Sequence, residues 1–240
     1  MTENEDISKM ATGRIWRTVA LIAVVVVFLV LIIASVSAKP SISDRVWNEA
    51  ATVGSLEAKN YYIMYTDLFC PYCSPFSRAV MDNWDEFQDY LAENDVLFEV
   101  RLTDYIYVAH GSQLSRDSAE AAYCAMREDK FWDFYHNAIS AIWQDYQSKG
   151  IGVSKTSPAI TDVPDGYWLK LGHQAGLGAE FDECVESHAT EEEVTNNTAR
   201  ALQATDGMPF FKFNDFTLAG FDPSWGWDYV LRYLDAGLGK

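Results

Sequence analysis

Two cysteines separated by two residues, Cys70-Pro71-Tyr72-Cys73, stand where a buried strand gives way to an amphipathic helix. Before them, Tyr61-Tyr62-Ile63-Met64-Tyr65 reads as the strand. After them, Phe76, Val80, Trp84, Phe87 and Leu91 recur at spacings of three and four and predict one helix of about five turns. A strand-to-helix junction sets the first sulfur over the helix N-terminus, where the dipole and unpaired N–H groups favour thiolate. The second sulfur, one turn in, is then within reach of a mixed disulfide formed by the first. Val96-Leu97-Phe98-Glu99-Val100-Arg101-Leu102 follows as a second strand, so the junction sits inside a βαβ unit with a parallel sheet.

A Cys-x-x-Cys pair also serves zinc or an inert disulfide. Zinc needs two further ligands, and His110, His136, His173 and His188 are scattered without paired spacing, so no metal site is expected. His136 is expected to pack on its helix.

The N-terminal region decides where the cysteines work. Residues 19–36 form an uncharged apolar run of about the length that spans a bilayer core, preceded by Lys9, Arg14 and Arg17. This divides the chain into a cytoplasmic N-terminus (1–17), a transmembrane anchor or signal segment (18–38), a linker (39–59) and a domain (60–240). Val36-Ser37-Ala38 resembles a cleavage site, but the run is longer than a usual signal core, which favours an uncleaved anchor. The linker fits one or two helical turns through Ser43, Asp44, Val46, Trp47, Ala50 and Val53.

The net charge of −17 falls on the exported part, since residues 1–38 carry three acids and three bases. Such a surface argues against nucleic acid as a partner. Outside the cytoplasm disulfides persist, and four cysteines are an even count. Asn196-Asn197-Thr198 fits a glycosylation sequon, for which chance is the better explanation in a helical context.

From about 112 to 205 the pattern is helical: Phe131, Tyr135, Ala138 and Ile142 share one face, residues 150–166 form a loop, and helices fit 167–175, 180–188 and 191–204. Residues 209–213 and 216–220 read as a hairpin around Asn214-Asp215, and Asp222-Pro223-Ser224 as the start of the last helix. The order βαβ, helical block, ββα is an α/β thioredoxin-like fold with an inserted helical subdomain.

The residues Thr66-Asp67-Leu68-Phe69-Cys70-Pro71-Tyr72-Cys73-Ser74-Pro75-Phe76, Ala121-Ala122-Tyr123-Cys124-Ala125 with Lys130-Phe131-Trp132 and Tyr135-His136, and Gly207-Met208-Pro209-Phe210-Phe211 together resemble the DsbA-like thiol–disulfide oxidoreductases, in particular their membrane-anchored BdbD-type branch. The resemblance covers roughly residues 58–238. It implies catalysis by Cys70 as the reacting sulfur and Cys73 as the buried resolving thiol, with redox tuning by Pro71 and Tyr72. It implies a cis-proline at Pro209 which, with Met208, binds substrate. Relatives usually carry Thr or Val where Met208 stands, so a long thioether there bears on potential and substrate fit. Asp67 is shared with the family motif and reads more simply as a polar strand-end residue than as a proton carrier.

No cofactor is expected beyond the Cys70–Cys73 disulfide itself. The partners implied are unfolded or newly exported polypeptides and a membrane redox protein, with the domain on the extracytoplasmic side and the membrane engaged through residues 18–38. Aromatic residues near Pro209 are candidates for the rim of an apolar groove; Trp132, Trp168, Trp225, Trp227, Phe210 and Phe211 are otherwise core. Cys124 and Cys184 both look buried. They fit inert core thiols or, with export, a structural disulfide between two insertion helices. Oxidase activity leads; an isomerase or reductase, or a tethered chaperone, is the alternative.

Overall fold

The computed structural model describes Val26, residues 51–214 and residues 216–240. The apolar run 19–36, Val26 apart, lies outside the described residues, as do most of the expected linker and Asp215. Among the described residues no helix is long and apolar enough to cross a membrane.

Five strands form one sheet: β1 (Ala51–Val53), β2 (Asn60–Thr66), β3 (Val96–Leu102), β4 (Phe210–Phe213) and β5 (Phe216–Ala219), in the order β1-β3-β2-β4-β5. β2 and β3 run parallel, with Asn60 opposite Val96 and Thr66 opposite Leu102; the other pairings are antiparallel. Both central strands are buried on both faces, which explains their near-continuous apolar sequence. One face, with Tyr62, Met64, Phe98 and Phe211, packs on aromatic side chains of the flanking helices, among them Phe76 and Phe87. The other face holds a buried ion pair, Arg101 Nε to Glu99 Oε1 at 2.5 Å, with Arg101 also donating to the hydroxyls of Tyr65 (2.7 Å) and Tyr61 (3.1 Å). Mutual satisfaction is what lets these charges stay inside.

The helices are α1 (Ser74–Asp82), α2 (Trp84–Glu93), α3 (Tyr105–His110), α4 (Gln113–Arg127), α5 (Phe131–Asp145), α6 (Tyr167–Gln174), α7 (Ala179–Glu186), α8 (Glu191–Ala204) and α9 (Trp227–Gly237). The α/β fold with an inserted helical block is the one the sequence predicts.

Four local readings are corrected. The single helix expected through Phe76 and Leu91 breaks at Asn83, whose backbone leaves the helical region (φ −126°, ψ 39°) while its side-chain amide donates to the Ala79 carbonyl at 2.8 Å. An Asn side chain competes with the helical ladder in this way, yet Phe76, Val80, Phe87 and Leu91 all stay buried. Ala51–Val53, expected in a helical turn of the linker, is an edge strand because β3 offers it a partner. The last helix starts at Trp227; Asp222 instead closes a turn by accepting from the Ser224 N–H (2.8 Å) and hydroxyl (2.6 Å). His136 is exposed on α5 rather than packed. Helix α3 is an addition that its six residues gave no periodic signal for.

Candidate functional site

The site forms where β2 ends and α1 begins. The Cys70 carbonyl accepts from the N–H groups of Cys73 (3.0 Å) and Ser74 (3.2 Å), folding the motif into a tight turn. Cys73 is the N-cap residue of α1, with Pro75 in the first turn where its missing N–H costs nothing. Cys73 therefore stands at the mouth of the helix rather than a turn inside it. Cys70 and Cys73 are both free thiols and both buried, at 2% and 0% exposure, while Pro71 and Tyr72 between them are half-buried. Burial pushes the Cys73 thiol well up, helped by its hydrogen bond with Cys70 and by the charges of Cys70 and Asp67.

The β4 end supplies the other half. Met208–Pro209 is a cis peptide bond, and the Cys70 Sγ lies 3.7 Å from the Met208 carbonyl oxygen, to which its S–H donates. Met208 is buried at 9% exposure. β4 pairs directly with β2, with Tyr65 opposite Phe210, so the strand preceding the cysteines and the strand following the proline are neighbours. That pairing is what brings residues 138 apart in the chain into contact.

Asp67 has a larger place than its sequence reading. It is fully buried at the end of β2; Oδ1 accepts from the Phe69 N–H (2.7 Å), and Oδ2 from the Ile106 N–H (2.8 Å) and the Ser115 hydroxyl (2.6 Å). Burial nevertheless wins over these donors and pushes its carboxyl up to about 6. The charge of this carboxyl is felt at Cys73, where it helps push the thiol up. The position in Thr66-Asp67 was legible; the burial was not.

The insertion supports the site with polar ties that sequence reasoning missed. The Ser77 and Tyr135 hydroxyls are 2.7 Å apart, joining α1 to α5. Gln147 Nε2 donates to the Ser74 hydroxyl at 2.9 Å. Phe69 packs edge-on against Trp168, as Phe76 does against Phe221, while Phe76 meets Phe211 at a tilt. Away from the site, a disulfide joins Cys124, buried in α4, to Cys184, half-buried in α7. Among the described residues no three His, Cys, Asp or Glu side chains cluster so as to hold a metal ion.

Residues 48–215 match the family model described as thioredoxin. No curated protein matches the chain by sequence. Solved structures with similar folds include the reduced form of the disulfide bond oxidoreductase DsbG from Mycobacterium tuberculosis (20% identity, TM-score 0.57, covering 84% of this chain and 93% of that one). The oxidised DsbA of the same organism is also similar (20% identity, TM-score 0.54, 80% and 93%). So is a thioredoxin-like oxidoreductase from Silicibacter pomeroyi (17% identity, TM-score 0.54, 85% and 99%). At these identities the likeness is one of fold.

Proposed function

This chain belongs to the thioredoxin family, and from that premise we propose that it is an exported, membrane-anchored thiol–disulfide oxidoreductase that oxidises polypeptides. The observation that carries the reading is the placement of the Cys70 sulfur at the Met208 carbonyl, directly before cis-Pro209 and beside the resolving thiol. A substrate strand lying along residues 206–209 would bring its own sulfur to Cys70.

A substrate thiolate attacks Cys70 Sγ of the oxidised protein, the Cys70–Cys73 bond breaks, and Cys73 leaves as a thiolate that takes a proton. A second substrate thiolate attacks the substrate sulfur of the mixed disulfide and releases Cys70 as a thiolate, which takes up the second proton that the substrate thiols gave up. Two electrons pass from the substrate dithiol to the protein, which ends in the dithiol form described above. Asp67, fully buried, raised to about 6 and with its charge felt at Cys73, is the residue to which we assign delivery of that proton. A membrane redox partner then reoxidises the pair.

The equilibrium potential against glutathione tests the direction. A value near the roughly −120 mV of DsbA supports the oxidase; one near the roughly −270 mV of thioredoxin overturns it in favour of a reductase. The oxidised domain is further expected to oxidise an unfolded reduced polypeptide faster than its reduced form reduces insulin. The anchor reading is checked separately by N-terminal sequencing of the membrane fraction; a chain starting at Lys39 defeats it.

A further inference from the structure

None of the six residues of α3 is buried, yet this helix is hydrogen-bonded to both halves of the site, to Asp67 after β2 and to Asp206 before β4. Polar ties hold it where apolar packing does not. The Ile106 N–H donates to Asp67 Oδ2 at 2.8 Å. Arg116 lies over the Tyr107 ring, 3.9 Å from its centroid, while its Nε donates to Asp104 Oδ2 at 2.8 Å. These contacts fix the start of the helix and with it the half-buried Tyr105, whose hydroxyl donates to the Asp206 carbonyl at 3.0 Å.

Asp206 opens the loop that ends in Met208 and cis-Pro209. Beside the Cys70 thiol at the Met208 carbonyl, the Thr205 hydroxyl bonds the Gly207 N–H (3.2 Å) and carbonyl (2.9 Å), and the Pro209 carbonyl accepts from the Gly220 N–H after β5 (2.8 Å). The Tyr105 bond reaches the loop from the segment after β3, the side on which Asp67 is held.

We propose that Tyr105 is a positioning residue for thiol–disulfide exchange with polypeptides: through the Asp206 carbonyl it holds in place the loop whose Met208 carbonyl faces Cys70. The inference rests on the exchange proposed above at Cys70. A polypeptide that reaches the sulfur must lie along residues 206–209 and engage their backbone groups, so any freedom in that loop has to be lost on binding. A small thiol reaches Cys70 without using the loop. The hydroxyl of Tyr105 therefore selects for the large substrate over the small one.

The test compares the oxidised full-length protein with its Tyr105→Phe variant in exchange with a reduced unfolded polypeptide and with reduced glutathione. The polypeptide-to-glutathione ratio of second-order rate constants is expected to fall about five-fold in Tyr105→Phe, the factor that one net hydrogen bond corresponds to. Amide exchange at Gly207 and Met208 should quicken in parallel. Val108→Ala, on the same helix but bonded to neither Asp206 nor Asp67, is the control and should leave the ratio where it is. An unchanged ratio, or an equal fall with both substrates, overturns the proposal. A wild-type protein that exchanges with neither substrate overturns the reading of Cys70 instead; the Tyr105 tie then stands or falls on amide exchange at Gly207 and Met208 alone.

Discussion

The sulfur of Cys70 lies 3.7 Å from the carbonyl oxygen of Met208, across the pairing of β2 with β4. The contact places a redox-capable thiol against the backbone that leads into cis-Pro209, beside the exposed Asp206 and half-buried Gly207 of the same loop. The two cysteines differ in setting, since Cys73 sits at the helix mouth with its thiol pushed well up by burial.

The first prediction follows from that asymmetry. Replacing Cys73 with Ser leaves Cys70 to form a mixed disulfide that nothing within the protein resolves. Non-reducing electrophoresis and peptide mass mapping should find Cys70 cross-linked to substrate in Cys73→Ser, and no adduct in Cys70→Ser. Adducts mapped elsewhere would reassign the nucleophile.

Asp67 gives a pH prediction. Its carboxyl is raised to about 6 by burial, so the folded state favours the neutral acid. That preference stabilises the protein below the ordinary carboxyl range near 4 and is lost as pH rises through 6. A shift of this size is worth about 3 kcal/mol. Urea unfolding at pH 4 and pH 7 should show the wild type losing about that much relative to Asp67→Asn over the interval. Parallel stability curves would sink the assignment. The pH profile of exchange should also lose an inflection near 6 in the variant.

The Cys124–Cys184 disulfide closes a loop with a sequence separation of 60 and ties α4 to α7. Chain-entropy reasoning gives such a loop about 4 kcal/mol of stabilisation. The double variant Cys124→Ala/Cys184→Ala should lower the denaturant midpoint accordingly while keeping Cys70 reactive. Alkylation with mass mapping of the double variant checks that Cys70 stays reactive.

Gly172 in α6 faces Phe181 so closely that an added Cβ would fall 2.1 Å from the ring. Phe181 is fully buried and packs against Phe134. Gly172→Ala, which helix propensity alone would favour, should instead destabilise by about 1–3 kcal/mol through overpacking. Thermal unfolding against a Gln174→Ala control, at an exposed position of the same helix, measures it.

Much of this was legible in the chain. Phe76, Val80, Phe87 and Leu91 repeat with the helical period, and Tyr61 to Tyr65 read as a strand, because each element must bury a face and the period follows from its geometry. The cysteine spacing and a proline opening a strand are likewise local patterns. The break at Asn83 was less legible, since a side chain bonding back one turn leaves the apolar spacing intact.

What the sequence determined by itself is therefore the order and type of the main elements and the Cys70–Cys73 spacing at a strand-to-helix junction. Only the tertiary structure decided that Ala51–Val53 is a strand, that Glu99 and Arg101 satisfy each other inside, and that Asp67 is buried and raised. It alone set Met208 and, through Asp206, Tyr105 around the loop facing Cys70. Each depends on partners far along the chain: an edge to pair with, an opposite charge, or a cover that removes water. The Cys70 to Met208 contact is itself of this kind, since only sheet pairing brings β4 beside β2.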